Sequence, residues 1–517
     1  MTWTPSFASA ADHSDKTVIW LSRWCSRSLL RYKGYGSRAI TTMRTALSGI
    51  FIVLAIQPAA CARYQHYRAT PISPIDEARE YSARRLDDPT LARILAAHGV
   101  PIEGSAWGSR QLALAALYFR PDLTEAERSL AAARAGEITA GVRPYPSITA
   151  TTNRAAKADE GHSTPWSFSL TTGITLELGG KRGARISRAR AFTLGAQLRL
   201  ETAAWQTISG TRRAASTALA TEIDLADARA ETAQLRSLLE LLRGRYTEGQ
   251  IARADLARSE IDVQTAGVAV TQASRSRSDA RSALARELAV PLRRVDQLPL
   301  AADPRSACAA VDSLSVDAME TWALRTLPVV GAALADYAVA EGDLRLQIAQ
   351  QYPDIGVAPG IAWEQGVQRW ILSLGLPSLP TDRSRGPIAE ADAHRAVRAA
   401  RVTVVQDSIL AAVDSATAAC RHARYEITVT DSLVRASAEQ LGLARAAYQR
   451  GETGKTEVAF ALVALTRAQR ARNQAVQRAF LDGIALESAT GASLSGPPIR
   501  WDDLLIPRDS TRRNTHE

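Results

Sequence analysis

Histidine, cysteine, methionine and phenylalanine are scarce in this chain. Its 517 residues include seven histidines, four cysteines, three methionines and seven phenylalanines. The cysteines form no CxxC pair, the histidines are scattered singly, and the patterns HExxH, GxSxG and GxxxxGK[ST] do not occur. The sequence therefore gives no zinc or redox motif and no legible catalytic site. We expect a protein that is not an enzyme and that uses no metal and no cofactor.

The chain has an excess of basic residues, but the way they are distributed does not indicate a nucleic-acid-binding protein. The formal net charge is +10 and the sequence pI is about 9.7. Arginine and acidic residues alternate along stretches such as Arg253–Asp255 and Arg258–Glu260. Such alternation is typical of a solvated helix face, and we expect no nucleic-acid partner. His394 and His422 lie on a predicted long helix and are interpreted as surface residues.

An export signal is predicted inside the chain rather than at its start. Residues 43–60 combine a basic Arg44 with an apolar stretch too short to span a bilayer. Two alanines precede Cys61, which resembles a bacterial lipoprotein signal with Cys61 as the lipid anchor, although Pro58 departs from that pattern. A secretory signal cleaved near Ala60, or a buried helix, are the alternatives. Residues 1–42 are interpreted as a non-native upstream extension.

The rest of the chain is predicted to be a tandem duplication. Five landmarks recur in the same order about 202 to 207 residues apart, which indicates a repeat rather than chance. The first four pairs are Ala116–Pro121 with Ala323–Pro328, Tyr145–Pro146 with Tyr352–Pro353, Trp166 with Trp370, and Tyr246–Gly249 with Tyr448–Gly451. Asp255 and Glu457 are the fifth. We predict repeats over 61–300 and 316–496, a linker over 301–315 and a tail over 497–517.

Each repeat is predicted to contain two short strands followed by two very long helices. Alternation of apolar and polar residues predicts strands near 144–154, 164–179, 353–365 and 369–378. The helices are predicted from the long proline-free stretches and from apolar residues spaced by three or four. The residues of this spacing are Leu225, Ala228, Thr232, Leu235, Leu239, Leu242, Leu256, Ser259, Val263 and Ala266. A free coiled coil is the alternative, but it does not explain the strand pairs.

Four amphipathic strands cannot close a membrane barrel alone. Small membrane barrels use about eight strands, and open edges in lipid are costly. Three copies would supply twelve strands and twelve long helices around a threefold axis. The predicted fold is mainly α, with a small membrane β-barrel portion. The duplicated unit of strand pair and long helical hairpin would build a trimeric α-barrel and a 12-stranded β-barrel in contact with outer-membrane lipid.

These features together resemble the TolC family of outer-membrane factors, over about residues 75–495. The duplication, the Ala-Leu-x-x-x-Pro starts and the stretch from Tyr448 to Gln469 carry the resemblance. The segment Leu178–Arg185 resembles the CzcC-like heavy-metal branch, whereas the second repeat departs from it at Pro380–Arg383. The resemblance implies a passive duct in the bacterial outer membrane, with its helical barrel in the periplasm. A periplasmic adaptor and an inner-membrane resistance-nodulation-division pump would be its partners.

Other functions remain open at this point. A type I secretion or drug-efflux duct would have the same architecture. A periplasmic coiled-coil adaptor or scaffold is less favoured, because adaptors generally have one hairpin and flanking β-rich domains. A disulfide between Cys308 and Cys420 is also less favoured, because Cys308 lies in the linker and Cys420 in the middle of a helix.

The turns of the two long hairpins are the candidate functional residues. Glycine suits a helix end with positive φ, and the resemblance implies that Tyr246, Gly249, Tyr448 and Gly451 form periplasmic tips for adaptor docking. It also implies that acids after the second turn face a narrow pore, which makes Glu457, and Asp255 in the first repeat, constriction candidates. Phe460 stands at the family's second acid. The alternative is that Glu457 only stabilises its helix start.

Overall fold

The structure is a computed structural model that describes residues 69–492 except 102, 103, 105, 155–165, 303–305, 307, 310, 312–314, 365, 366 and 377–383. The predicted extension, the signal, the lipid-anchor Cys61 and the whole of the predicted tail lie outside the described residues. The chain divides into two compact units, Met1–Pro74 and Ile75–Glu517. Only six residues of the first unit, 69–74, are described. The account below concerns the second unit.

The helices and strands follow one another in the predicted order. Two short helices, α1 (Pro74–Ala83) and α2 (Pro89–Ala97), come before the duplicated part. The first repeat comprises α3 (Ser109–Phe119), α4 (Pro121–Gly141), β1 (Ser147–Arg154), β2 (Trp166–Leu176), α5 (Lys181–Thr247) and α6 (Arg253–Glu287). The second comprises α7 (Val316–Thr326), α8 (Pro328–Ala349), β3 (Ile355–Glu364), β4 (Val367–Gly375), α9 (Arg385–Gln449) and α10 (Lys455–Thr490).

The duplication predicted from the landmarks is visible in this order of elements. Pro121 and Pro328 each open the second helix of their repeat. Proline suits this first helical position, because the N–H that it lacks would have no partner within the helix. Each recurring Ala-Leu-x-x-x-Pro stretch is therefore the end of one short helix and the start of the next.

The four strands form one antiparallel sheet in the order β1-β2-β3-β4. Compared with the predicted ranges, β1 begins three residues later, β2 ends three residues earlier, β3 begins two residues later and β4 begins two residues earlier. The second and third strands, which belong to different repeats, pair with Leu170 opposite Ile361 and Phe168 opposite Trp363. The sheet therefore joins the two repeats through β2 and β3.

The long helices bury most of the residues that the spacing by three or four places on one side. The six residues predicted from Leu225 to Leu242 are all buried in α5, and Leu256, Ser259 and Ala266 are buried in α6. At 67 residues, α5 has a length of about 100 Å, since a helix rises about 1.5 Å per residue. It packs against α6 along the first hairpin and against α10 of the second hairpin.

The interpretation that disfavoured a disulfide is wrong. Cys308 and Cys420 are joined in a disulfide, with their Cα atoms 5.0 Å apart. Both residues are buried in a core that also contains Trp205, Val413 and Leu486. The linker folds back onto the middle of α9, and a position in the middle of a helix does not prevent pairing when a neighbouring segment packs against that helix.

Candidate functional site

The first hairpin reverses at a glycine with positive φ. Gly249 has φ +72°, as the sequence predicts for this position. Its N–H donates to the carbonyl of Tyr246 at 2.9 Å, and the N–H of Gln250 donates to the carbonyl of Arg245 at 2.8 Å. These two bonds constitute a Schellman motif, which provides partners for the last carbonyls of α5.

The second hairpin repeats this geometry. Gly451 has φ +74°, its N–H donates to the carbonyl of Tyr448 at 3.0 Å, and the N–H of Glu452 donates to the carbonyl of Ala447 at 2.9 Å. A Cβ on either turn glycine would meet nothing within 4 Å. Backbone conformation, not crowding, is therefore what requires glycine here.

The tyrosines of the two tips are partly accessible. Tyr246 and Tyr448 each expose 40% of their surface. Within the part of the chain that the structure describes, neither hydroxyl makes a hydrogen bond. Each hydroxyl is therefore available to another molecule, although its role in docking stays a prediction.

The two tips differ in the hydrogen-bond partners of their charged residues. At the second tip the Arg450 guanidinium donates to Glu452 at 2.6 and 2.8 Å, and this hydrogen bonding is the main reason that the pKa of Glu452 lies below its usual value. At the first tip the corresponding residues are Glu248 and Gln250, joined by an amide-to-carboxylate bond of 2.6 Å. Arg245 Nε also donates to Gln250 Oε1 at 3.3 Å. Tip one therefore also has one base and one acid, whereas at tip two the base and the acid are bonded to each other.

The candidate pore acids occupy equivalent positions. Asp255 and Glu457 are exposed and lie in the first turns of α6 and α10. Glu457 Oε1 lies 3.6 Å from Nη1 of Arg245 at the end of α5. Its Oε2 lies 3.1 Å from where a Cβ on Gly454 would stand, so the carboxylate folds over the helix start. This position fits a carboxylate that stabilises the start of its own helix. The ion pair with Arg245 of the first hairpin was not predicted from the sequence.

A polar seam joins the two hairpins further along their length. Asp224 Oδ1 accepts from Arg470 Nε at 3.0 Å and from Gln474 Nε2 at 2.8 Å. Burial alone would raise the pKa of Asp224, but these bonds and the charge of Arg470 outweigh it, and the pKa is lowered. Two turns further along α5, Glu231 accepts from Arg467 and Arg470 at 2.8 and 3.2 Å.

The sheet separates apolar from polar residues, as the alternation predicts. One face carries the even-numbered residues of β2 and β4 and the odd-numbered residues of β3, because the strand register places them side by side. Its large side chains are exposed, fully or in part, to the surroundings. They are Trp166, Phe168, Leu170, Ile174, Leu176, Ile355, Val357, Ile361, Trp363, Trp370, Leu372 and Leu374. The other face carries smaller or polar residues such as Ser167, Ser169, Thr171 and Ser373, together with two apolar residues of β4, Val367 and Ile371.

The junction between β2 and α5 has a local structural explanation. Gly179 and Gly180 both have positive φ, and a Cβ on Gly179 would lie 2.7 Å from the carbonyl oxygen of Ala349. Lys181 Nζ lies 2.7 Å from Asp354 Oδ1, at the start of β3. The segment Leu178–Arg185 therefore turns the chain from sheet to helix and connects the two repeats.

Two further features concern the described residues, namely metal-ligating groups and helices that could cross a membrane. Those residues contain no group of three or more His, Cys, Asp or Glu side chains that could hold a metal ion. His394 and His422 are exposed, as predicted. No described helix is by itself long and apolar enough to cross a membrane. The bent pair Val316–Thr326 and Pro328–Ala349 together has the length and composition of a membrane span, and no other property of one is shown.

Comparisons with known proteins agree with this architecture. The outer membrane efflux protein family model matches residues 112–289, which run from α3 to just beyond α6. No curated protein sequence matches the chain.

Solved channel structures have the same fold. The outer membrane protein VceC of Vibrio cholerae is 19% identical, with a TM-score of 0.59 over 74% of this chain and 96% of VceC. The open-state MtrE outer membrane channel of Neisseria gonorrhoeae is 19% identical, with a TM-score of 0.56 over 74% and 88%. CusC, described for its transmembrane channel formation, is 15% identical, with a TM-score of 0.58 over 74% and 91%. At such identities the likeness concerns the fold.

Proposed function

Since this chain is a member of the TolC family of outer-membrane efflux proteins, we propose that three copies form a duct that passively conducts substrate across the bacterial outer membrane. One observation carries this proposal. A four-stranded sheet with an exposed apolar face is attached to two long helical hairpins, and its outer strands β1 and β4 each pair on one side only among the described residues. Such edges and such a face are costly unless other molecules cover them.

A threefold assembly would satisfy the strand edges. Pairing of β4 with β1 of the next copy would join three sheets into a ring of twelve strands, which lies within the size range of membrane barrels. The apolar face would then contact lipid. Trp166, Trp363 and Trp370 lie toward the loop ends of their strands, where aromatic residues favour the membrane–water interface.

The long helices offer matching edges for the same assembly. The packing order within one chain is α6, α5, α10, α9, so α6 and α9 lie at the two ends of the row. Exposed apolar residues follow both end helices: Ile261 and Val268 on α6, and Val429, Leu433 and Leu443 on α9. Contact of α6 with α9 of the next copy would bury both sets and close the helical barrel in the periplasm.

The periplasmic end of this duct is proposed to receive a tripartite partner. The two tips end in the Schellman turns at Gly249 and Gly451, beside the accessible hydroxyls of Tyr246 and Tyr448. A periplasmic adaptor would dock there and connect the duct to an inner-membrane resistance-nodulation-division pump, which would supply the energy. Substitution of Gly451 by proline, whose φ is fixed near −65°, should abolish export while leaving trimers in the membrane. Normal export would refute the docking role.

Heavy-metal cations are the proposed cargo class, because the segment Leu178–Arg185 resembles the CzcC-like branch. A type I secretion substrate or a drug would use the same duct. Growth of a deletion strain on zinc, cobalt or cadmium salts, and on a panel of antibiotics, separates these classes. Sensitivity to drugs alone would remove the metal assignment and leave the duct in place.

Lipid is proposed to anchor the chain at Cys61, which follows an apolar stretch and two alanines. Mass spectrometry of the mature N-terminus tests this. An unmodified terminus at another residue would remove the anchor but not the duct.

Assembly and conduction test the main proposal directly. Cysteines at Val268 and Leu433 lie about equally far from their hairpin turns, at Gly249 and Gly451, and should cross-link copies into trimers and no larger species. The purified protein should give single-channel conductance in planar bilayers. A monomer with an intact sheet, or a periplasmic protein without conductance, would instead support an adaptor or scaffold.

A further inference from the structure

The described residues of the segment between the two repeats include some that contact the first repeat and some that contact the second. On the side of the first repeat, the N–H of Trp107 donates to the carbonyl of Pro299 and the N–H of Ala301 donates to the carbonyl of Trp107, both at 2.9 Å. On the side of the second repeat, Ser306 Oγ donates to the carbonyl of Ala479 in α10 at 2.6 Å. Val311 is completely buried.

The covalent contact in this segment lies deep in the core. Cys308 exposes 1% of its surface and Cys420 exposes none. Trp205 of α5, Val413 of α9 and Leu486 of α10 belong to the same buried cluster. A protein that exchanges disulfides with its substrate must bring a sulfur atom into contact with the substrate sulfur. The folded chain gives no such access to either cysteine.

We propose that Cys308 and Cys420 form a site of oxidative modification, and that a thiol–disulfide oxidant of the exported compartment acts on them before the core around them closes. Each thiol loses one hydrogen, the Sγ–Sγ bond forms, and the disulfide of the oxidant is reduced to two thiols. The inference rests on the proposed function only in requiring export, because disulfides persist mainly outside the cytoplasm.

The bond has a structural consequence for the second repeat. It joins residues 112 positions apart, and the loop that it closes contains α7, α8, β3, β4 and the first half of α9. A closed loop of this length restricts the unfolded chain strongly. The disulfide therefore fastens Cys308 of the inter-repeat segment to α9 and joins the two ends of the helix-and-strand part of the second repeat.

The first test uses the wild-type protein purified from outer membranes. Alkylation of free thiols followed by mass spectrometry should find Cys308 and Cys420 joined. Excess dithiothreitol should leave the bond intact in the folded protein and break it only after denaturant is added. Rapid reduction in native buffer would overturn the protection by burial. Outer-membrane protein with both thiols free would overturn the oxidation, whereas absence from that membrane would instead count against the proposed location.

The second test asks when oxidation occurs. In a strain without its periplasmic thiol oxidant, newly exported chain should accumulate reduced. Adding a small disulfide after the chain has folded should oxidise it at least tenfold more slowly than adding it during export. Equal rates would contradict oxidation before closure of the core.

Variants measure what the bond contributes. The double variant Cys308→Ala, Cys420→Ala should unfold about 5 °C below the wild type, given the loop length and the size of the body, and should be cut faster by protease in the inter-repeat segment. Ser306→Ala removes the hydrogen bond to Ala479 and the one accepted from the Cys308 N–H but keeps both cysteines; it is the control and should shift the midpoint much less. An unchanged midpoint and protease pattern in the double variant would overturn the fastening role.

Discussion

Arg245, in the last turn of α5, pairs with Glu457, in the first turn of α10, with 3.6 Å between Nη1 and Oε1. The pair links the end of one hairpin arm to the beginning of an arm of the other hairpin. A carboxylate proposed to line the pore therefore also has a structural partner, and an experiment must separate the two roles.

Replacement of Glu457 by glutamine separates them. If the carboxylate lines the constriction, Glu457→Gln should lower cation selectivity in single-channel recordings, while the thermal midpoint changes little. Both side chains of the pair are more than a third exposed, so the ion pair itself contributes at most about 1 kcal/mol.

Asp255→Asn is the control at the equivalent position of the first hairpin. Within the described residues Asp255 makes no side-chain ion pair. A change of selectivity in Asp255→Asn alone would move the constriction to the first hairpin. Loss of thermal stability with unchanged selectivity in Glu457→Gln would leave Glu457 as a helix-start residue only.

The turn glycines should be sensitive to alanine for a backbone reason alone. Gly249→Ala and Gly451→Ala each force a residue with a Cβ to φ near +70°, which costs about 1 kcal/mol or somewhat more. Chemical denaturation of the detergent-solubilised protein measures this loss.

Gly442→Ala is the matched control for both substitutions. Gly442 lies in α9 without a positive φ, and a Cβ there would also meet nothing within 4 Å. Alanine should stabilise that helix position by up to about 1 kcal/mol. Equal effects at Gly442 and Gly451 would show that the turn conformation is not what requires glycine.

The faces of the sheet should respond oppositely to a charge. Leu372 lies on the apolar face of β4 and its neighbour Ser373 on the other face. Leu372→Arg should destabilise the protein in lipid by about 2–4 kcal/mol, since an arginine would be placed in hydrocarbon. Ser373→Arg should be tolerated and should change conductance instead. Refolding into vesicles with urea titration measures the first effect, and the opposite ranking would exclude the assignment of the faces.

The polar contacts of Asp224 with Arg470 and Gln474, which join the two hairpins, should stabilise the protein less in acid. The pKa of Asp224 is lowered in the folded chain, so its contribution is present above the unfolded value of about 3.9 and is lost as pH falls through the lower folded value. Asp224→Asn should cost about 1 kcal/mol at neutral pH. The difference from wild type should disappear in acid, once the pH has fallen below the lowered folded pKa of Asp224.

Asp279→Asn serves as the control for Asp224→Asn. The side chain of Asp279 is 75% exposed and lies 3.9 Å from Arg275, so its removal should leave stability nearly unchanged. A pH-independent loss in Asp224→Asn would indicate a packing defect instead of a lost carboxylate contact.

Periodicity predicted much of this fold because the relevant information is local. The spacing of Leu225, Leu235 and Leu242 defines the buried side of α5, and the alternation around Phe168 and Leu170 defines the sheet faces. Positive φ at Gly249 and Gly451 followed from glycine at a helix end. Each of these inferences needs only neighbouring residues.

Contacts between distant segments were not predictable in the same way. Asp224 and Arg470 are 246 positions apart, and no periodicity fixes how far one hairpin is displaced along the other. The Arg245–Glu457 pair was missed for the same reason. Cys308 stands in a segment without periodicity, so nothing in the sequence indicated that it folds onto α9.

The lengths of the long helices determine how far each hairpin tip lies from the sheet. The outgoing arms α5 and α9 have 67 and 65 residues, and the returning arms α6 and α10 have 35 and 36. At about 1.5 Å per residue the two tips differ in reach by about 3 Å. An insertion of seven residues into both arms of one hairpin would raise that tip by about 10 Å above the other. A partner that must touch both tips at once therefore restricts changes of length to those made in both repeats together.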